Sequence, residues 1–315
     1  MMFKKVHRKH HHRNLSVEEQ DVKGYWVLLF LLLVGCDSAN KEGVAELKDE
    51  AVTINVNLGG AVVDLIEGSP LRFSTDCLAA VSMCWYEIRR RGKDQSLMNV
   101  SVSWPEGASL IKKAVGLNVV VDELVTKNIE SFRVTLRGLP DNSTHEENKK
   151  LVYALISDLK ASGWKKYYYP SSPRIPGVEL SKFDWKDSVF GRTPLTHPLF
   201  DVDYELSLSD WLATDGFYDW YMYSGDYLSH VTVQRNNSSA DPARTGIYLI
   251  TVEFMSFDSF WRTDFEEEVR PKWKTLFPAH LQQLRNKRMS REARAKAAGV
   301  SIDVSYQPPN MERVK

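Results

Sequence analysis

The chain has 315 residues, of which 41 are Lys or Arg and 41 are Asp or Glu, so its formal net charge is zero. A nucleic-acid-binding protein normally carries a clear basic excess, and this balance argues against that class of partner. Hydrophobic residues make up 43% of the chain, which is enough to build the core of one large domain or of two smaller ones.

The first 35 residues have the pattern of a cleaved secretory signal. Residues 25–34 are apolar and uncharged, and a basic segment precedes them. A helix needs about 20 apolar residues to span a bilayer, and a shorter run fits the core of a signal peptide. Six basic and three acidic residues precede Cys36, which leaves 35 basic and 38 acidic residues, a net charge of −3, in the rest of the chain.

The apolar run ends in Leu33-Val34-Gly35-Cys36, which resembles the lipobox of bacterial lipoproteins. This resemblance implies that the chain is cut before Cys36 and that acyl chains on Cys36 anchor the protein to a membrane. The next residue, Asp37, resembles the sorting signal that retains such lipoproteins in the inner membrane. We therefore expect an inner-membrane lipoprotein that faces the periplasm, with the outer membrane as the alternative.

The elements that follow the anchor are read from the spacing of apolar residues. Residues 36–50 are polar and are predicted to be a tether, and alternating apolar residues predict a strand over 51–58. A second strand over 61–66 would complete a hairpin after Gly59-Gly60. We predict a helix over 76–91 and further strands over 99–104 and 132–136.

Two cysteines remain beyond the anchor, Cys77 and Cys84. The periplasm is oxidising, so such a pair can form a disulfide. On a continuous helix their α-carbons would lie about 10.5 Å apart, and a disulfide requires less than about 7 Å. The pair is therefore either bonded across a turn or unbonded on the helix that residues 78–83 predict.

The clearest predicted helix begins at Ser143 or Thr144, with Glu146 and Glu147 in its first turn as a capping box requires. Apolar residues at helical spacing continue it to Leu159, and a β-rich run over 164–169 follows. Prolines concentrated between 170 and 200 indicate a boundary between two lobes. Beyond them we predict strands over 229–234 and 246–255.

The last large element is predicted to be helical over 263–298 and to be divided by Pro271 and Pro278. Its basic run over 285–296 predicts either a solvated helix face or contact with anionic headgroups. The whole pattern predicts an α+β protein of two α/β lobes, each a mixed or antiparallel sheet with packed helices. The predicted ranges are a signal peptide at 1–35, a tether at 36–50, lobes at 51–182 and 190–306, and a disordered tail at 307–315.

Residues 210–227 are rich in aromatic and acidic side chains, and three interpretations remain open for them. Aromatic residues dominate binding hot spots, and acidic neighbours would attract a basic partner. A carboxylate pair beside aromatic rings is also typical of a carbohydrate site, with Asp215 and Asp219 as its acids. The third interpretation is an aromatic core. The predicted partner-binding residues are Trp211, Asp215, Phe217, Tyr218, Asp219, Trp220, Tyr221, Tyr223 and Asp226.

No phosphate-binding glycine loop, Gly-x-Ser-x-Gly elbow or His-Glu-x-x-His motif occurs, so we predict no catalytic residue, no metal site and no cofactor. A lipobox, a short tether, an α+β body without a reaction motif and an aromatic-acidic patch together resemble the periplasmic immunity lipoproteins of type VI secretion systems. That resemblance is one of organisation, and it implies a protein that neutralises a secreted toxic effector, such as a phospholipase. The alternatives are an enzyme acting on envelope glycan and an assembly lipoprotein of an envelope machine.

Overall fold

The computed structural model describes residues 51–90, 97–185 and 194–311, which belong to a single compact unit. In these ranges ten strands form one sheet, and five α-helices pack around it. The strands are β1 (Thr53–Asn57), β2 (Ser74–Leu78), β3 (Met83–Arg89), β4 (Met98–Trp104), β5 (Gly107–Asp122), β6 (Ser131–Leu136), β7 (Lys165–Lys166), β8 (Phe217–Ser224), β9 (Tyr227–Asn237) and β10 (Gly246–Ser256). The helices are α1 (Val62–Gly68), α2 (His145–Ala161), α3 (Leu208–Ala213), α4 (Phe257–Arg262) and α5 (Trp273–Ala297).

The strand order along the sheet is β1-β4-β5-β6-β10-β9-β8-β7, and β3 pairs with the second half of β5 while β2 pairs with β3. Strands β1 and β4 are parallel, and the other pairs are antiparallel. The α+β class with a mixed sheet is therefore confirmed. Strands of the two predicted lobes, 51–182 and 190–306, belong to this one sheet, because β6 of the first pairs with β10 of the second.

The two faces of the sheet differ because successive side chains of a strand point to opposite sides. On one face Val152, Ile156 and Leu159 of α2 pack in a core with inward residues of β8, β9 and β10, including Trp220 and Val252. On the other face α4 and α5 cover only one end of the sheet, where Tyr221, Leu228, Trp261 and Phe277 form a second core. Among the described residues no helix covers the rest of that second face, where Ile247 and Leu249 of β10 are about half exposed.

Two predictions in the N-terminal part are wrong. Where a strand over 61–66 was expected, helix α1 begins at Val62, since Val62 and Leu65, three positions apart, point inward after the left-handed turn at Gly59. Of the helix predicted over 76–91, residues 76–89 belong to the β2–β3 hairpin instead, and residue 91 lies outside the described ranges. Cys84, Tyr86 and Ile88 are buried at the strand period of two, and packing on β5 overrides the helical propensity of the Leu-Ala-Ala segment.

The β2–β3 hairpin decides between the bonded and the unbonded arrangement of Cys77 and Cys84. Cys77 and Cys84 face each other in register across β2 and β3, and they form a disulfide. The structure thus has the turn-spanning arrangement, with the chain reversing at Ser82 in a left-handed conformation.

The capped helix is confirmed as α2, with Thr144 as its N-cap and Glu147 completing the capping box. The predicted division at Pro278 is wrong, because α5 continues through it as one helix of 25 residues. Its apolar face continues on both sides of Pro278, which offsets the lost backbone hydrogen bond. The tail prediction is corrected for 307–311: Tyr223 donates to the carbonyl of Gln307, and Met311 is buried. Residues 1–50 and 312–315 lie outside the described ranges.

Arginines of the basic run bind helix α5 to the segment that follows β7 through hydrogen bonds. The Arg288 guanidinium donates to the carbonyl oxygens of Tyr168, Tyr169 and Ser172, and Arg291 donates to that of Ser171. Burial lowers the pKa of Arg288. At these positions the basic run is neither a solvated face nor free to meet lipid headgroups.

We expect Arg288→Ala to lower the free energy of unfolding by about 3 kcal/mol, because three carbonyl acceptors lose a charged donor in a partly buried site. Denaturant titration of the purified protein measures the loss. Arg285→Ala, which removes an exposed arginine from the same helix, is the matched control and should change the free energy of unfolding by less than about 0.5 kcal/mol. Equal stabilities of the two variants would contradict this assignment.

Candidate functional site

The aromatic segment is divided between the core and the surface by the alternation of β8. Trp211, Tyr218 and Trp220 are fully buried, and Tyr221 lies in the second core. These four residues do not offer a partner-binding surface, and that part of the prediction is wrong. Residues 218 and 220 point toward α2, and α3 places Trp211 over the same face.

Hydrogen bonds inside the protein engage most of the polar atoms of this aromatic group. Tyr218 donates to the carbonyl of Trp211, and the Trp211 indole donates to the hydroxyl of Tyr248. The Arg235 guanidinium donates to the Tyr218 hydroxyl and to the carbonyl oxygens of Trp211, Leu212 and Thr214. Burial raises the pKa of Tyr248. The arrangement is that of a buried core with an internal polar network, in which the Trp220 indole N–H has no hydrogen-bond partner among the described residues.

The other predicted residues do not all come together. The Tyr223 hydroxyl is bound to Gln307, so it holds the C-terminal segment. Asp226 lies in the turn at the far end of β8, and β8 ends about 23 Å along the strand from Phe217. Asp226 lines a separate cavity of about 350 Å³ with Gly59 and Ser256. Only Asp215, Phe217 and Asp219 lie near one another on the surface.

These three residues line a cavity of about 490 Å³ beside the outer edge of β8. Phe217 is 55% exposed, and Asp219 points from the same side of the strand. The remaining lining residues come mainly from the chain that passes along this edge: Trp185, Pro194, Leu195, His197, Leu199, Phe200, Ala213 and Thr214. Sequence reasoning missed this second group, and nothing in its local pattern marks it, because only the fold brings it to β8.

The two carboxylates of the cavity are held in place. Asp219 Oδ1 lies 2.9 Å from His230 Nε2, and the His230 ring stacks on Tyr221 at 4.0 Å between ring centroids. Asp215 Oδ1 accepts a hydrogen bond from the backbone N–H of Phe217. The cavity therefore presents an aromatic ring between two oriented negative charges.

Burial lowers the pKa of His197, on the cavity wall, to about 4. Its Nδ1 accepts a hydrogen bond from the N–H of Leu199, which is compatible with a neutral ring. This histidine adds no positive charge at neutral pH, so the carboxylates dominate the charge of the cavity.

The His197 pKa predicts a pH dependence of stability. The unfolded chain takes up the proton near pH 6.5 and the folded protein only near pH 4, so stability falls as the pH drops between these values, by up to about 1.4 kcal/mol per pH unit. His197→Asn, whose side-chain oxygen can accept the Leu199 N–H, should flatten this part of the profile. Urea titrations from pH 7 to about pH 4 measure it, and an unchanged slope would contradict the assignment.

The open face of the sheet holds a second depression, of about 480 Å³, over β5 and β6. Gly116 leaves its floor without a side chain, and Arg89, Arg90 and Arg133 surround it together with Glu87. Arg89 is paired with Glu87, and Arg133 lies 3.4 Å from Glu253. Ion pairing thus neutralises much of this basic group.

Within the described ranges no group of three or more His, Cys, Asp and Glu side chains is placed to hold a metal ion. In the same ranges no helix combines the length and apolar character that a membrane span needs. Comparison with protein-family models, with curated proteins and with solved structures gives no match to this chain. Cys36 and Asp37 lie outside the described residues.

Proposed function

We propose that this protein is a lipid-anchored binding protein of the bacterial periplasm that binds and neutralises a secreted toxic effector. The observation that carries the proposal is the outward half of the aromatic segment, where Phe217 stands between Asp215 and Asp219 at the mouth of a cavity. Half-exposed aromatic rings on a rigid strand lose little conformational freedom on binding, and they are typical interface anchors. The flanking carboxylates favour a partner with a basic surface.

The lipobox supports the location of this activity. An anchored protein meets an effector where that effector reaches its target, and a phospholipase would act at the same membrane. The carboxylates also favour a basic protein surface over the anionic headgroups of the membrane itself. The proposal therefore combines a membrane location, predicted from the lipobox, with a surface that attracts a basic partner.

The test needs a candidate effector, and a secreted toxic effector encoded beside this gene would supply one. Cells that direct this effector to the periplasm should survive only when they also produce the protein, and the two purified proteins should bind. Phe217→Arg should weaken binding about 100-fold and abolish protection, while the melting temperature stays unchanged. Val63→Arg is the control, because Val63 is exposed to a similar degree, 50%, on helix α1. Normal protection by Phe217→Arg would remove this cavity from the proposal.

An enzyme acting on envelope glycan is the second candidate, because the cavity combines Trp185 and Phe217 with two carboxylates. That function requires Asp215 or Asp219 as an acid or a nucleophile. Asp215→Asn and Asp219→Asn should then abolish release of soluble fragments from purified peptidoglycan. Under the binding proposal the wild-type protein releases none, and the two variants only weaken effector binding.

A further inference from the structure

We propose that the tip of the β2–β3 hairpin is a pre-organised apolar plug that inserts into an apolar, basic-rimmed pocket of the protein partner. This inference rests on the proposed function, in that the partner is the effector, but it concerns a different surface. The tip shares no residue with the cavity around Phe217.

The tip is unusually apolar for an exposed turn. Leu78, Val81 and Leu124 are 54%, 52% and 79% exposed, and Val125 is 48% exposed. Ala79 and Ala80 between them are also exposed. Single exposed apolar residues are common, but a contiguous group of large ones on a soluble protein usually marks an interaction site.

Two sets of contacts fix the shape of this group. The Cys77–Cys84 disulfide closes the hairpin immediately below the tip. The N–H of Glu123 donates to the carbonyl of Ser82, which ties the tip to the turn that carries Leu124 and Val125. Asp122 closes that turn by accepting the Leu124 N–H on its side chain and the Val125 N–H on its carbonyl. A surface held in this way loses little conformational entropy when it binds.

A cavity of about 570 Å³ adjoins the tip, with Leu124 and Val125 on one wall and Pro271 and Trp273 on the other. A partner that receives the tip can place an apolar side chain of its own in this cavity. The plug and the adjoining cavity together form a surface with both a projection and a recess. A protein pocket of fixed shape complements such a surface better than a fluid lipid layer does.

The charges around the tip indicate whether it binds a protein pocket or a membrane. Asp76 and Glu123 flank the tip, and within the described ranges neither forms an ion pair. Burial and the charge of Glu123 both raise the pKa of Tyr86 nearby. The cations of the adjoining cavity are engaged: Arg262 with Glu130, Lys274 with Asp258 and Arg270 with the Phe265 carbonyl.

Membrane-inserting surfaces place Lys and Arg beside their apolar residues, because lipid headgroups are often anionic. This tip carries carboxylates instead. A pocket rimmed by Lys and Arg satisfies both features, since the apolar residues lose their water and the carboxylates meet opposite charges.

The experiment measures binding of the detergent-solubilised lipoprotein to the purified effector against which it protects cells. Val81→Ser/Leu124→Ser should lower affinity at least about 10-fold without changing the melting temperature, because both side chains are exposed. Val178→Ser, at another exposed valine, is the control and should bind normally. Asp76→Asn/Glu123→Gln should slow association several-fold at low salt and leave the dissociation rate unchanged. Faster association would show that the partner's pocket does not have a basic rim.

Each other outcome has a defined meaning. Wild-type affinity of Val81→Ser/Leu124→Ser overturns the plug and leaves the proposed function standing. No binding of the effector by the wild-type protein overturns both. A photo-crosslinking amino acid in place of Leu124, in cells that also produce the effector, should label the effector. Labelling of lipid alone would assign the tip to the membrane and overturn the inference.

Discussion

Cys36→Ser is expected to abolish acylation of the protein and to leave its precursor uncut. The lipobox resemblance makes the thiol of Cys36 the acceptor of the first acyl chains, and a serine hydroxyl does not replace it. Each CH₂ of an acyl chain contributes about 0.8 kcal/mol to membrane binding, so the several chains that the resemblance implies would hold the mature protein without measurable release. Metabolic labelling with palmitate and the mass of the N-terminal peptide measure the change.

A companion variant separates the anchor from the rest of the protein. When residues 1–36 are exchanged for a signal that is cleaved without lipidation, the body should appear in the soluble periplasmic fraction and fold normally. Under the proposed function this form binds the effector in solution but protects cells less well, because it is no longer concentrated at the membrane. Palmitate incorporation into Cys36→Ser would show that the lipobox assignment is wrong.

The elements that sequence predicts well are those whose local signals agree with the final packing. Helix α2 has its cap, its acidic first turn and its apolar stripe in agreement, and its start at His145 follows the predicted cap. The alternation of β4 and β10 likewise matches a sheet with one face in the core. In these segments local propensity and tertiary packing favour the same structure.

The failures occur where a distant contact decides the outcome. The Leu-Ala-Ala segment has helical propensity, but β5 supplies seven partner positions for β3, and the chain forms a hairpin. Strand β5 itself, 16 residues long, was not predicted, because its exposed lysines and its irregularity between Ala114 and Gly116 hide the alternation. Propensity is a weak guide when pairing over a long sequence distance is available.

The candidate site shows the same limit. Composition correctly marked 210–227 as unusual, yet it gave no means of deciding which rings face α2 and which face water. Strand alternation makes that decision residue by residue, and it places Phe217 and Asp219 on the side opposite Trp220. The apolar tip at Val81 and Leu124 was missed altogether, since it exists only because the disulfide hairpin lies beside the β5–β6 turn.

Trp220→Ala is expected to lower the free energy of unfolding by about 3–5 kcal/mol, which is a large part of the stability of a typical domain. The indole is fully buried and contacts the rings of Tyr153, Phe200, Trp211 and Tyr218. Its removal leaves a cavity in the centre of the core that these fixed rings cannot fill. Urea titration measures the loss, and the melting temperature should fall with it.

Phe217→Ala is the matched variant three positions earlier on the same strand. Its ring is more than half exposed, so the free energy of unfolding should change by less than about 1 kcal/mol, while affinity for the effector falls. Loss of binding by Trp220→Ala alone would therefore say nothing about the binding surface, because it accompanies loss of the fold. The opposite result would be a Trp220→Ala variant that is stable but does not bind, together with a destabilised Phe217→Ala variant. It would show that the core face and the solvent face of β8 have been exchanged.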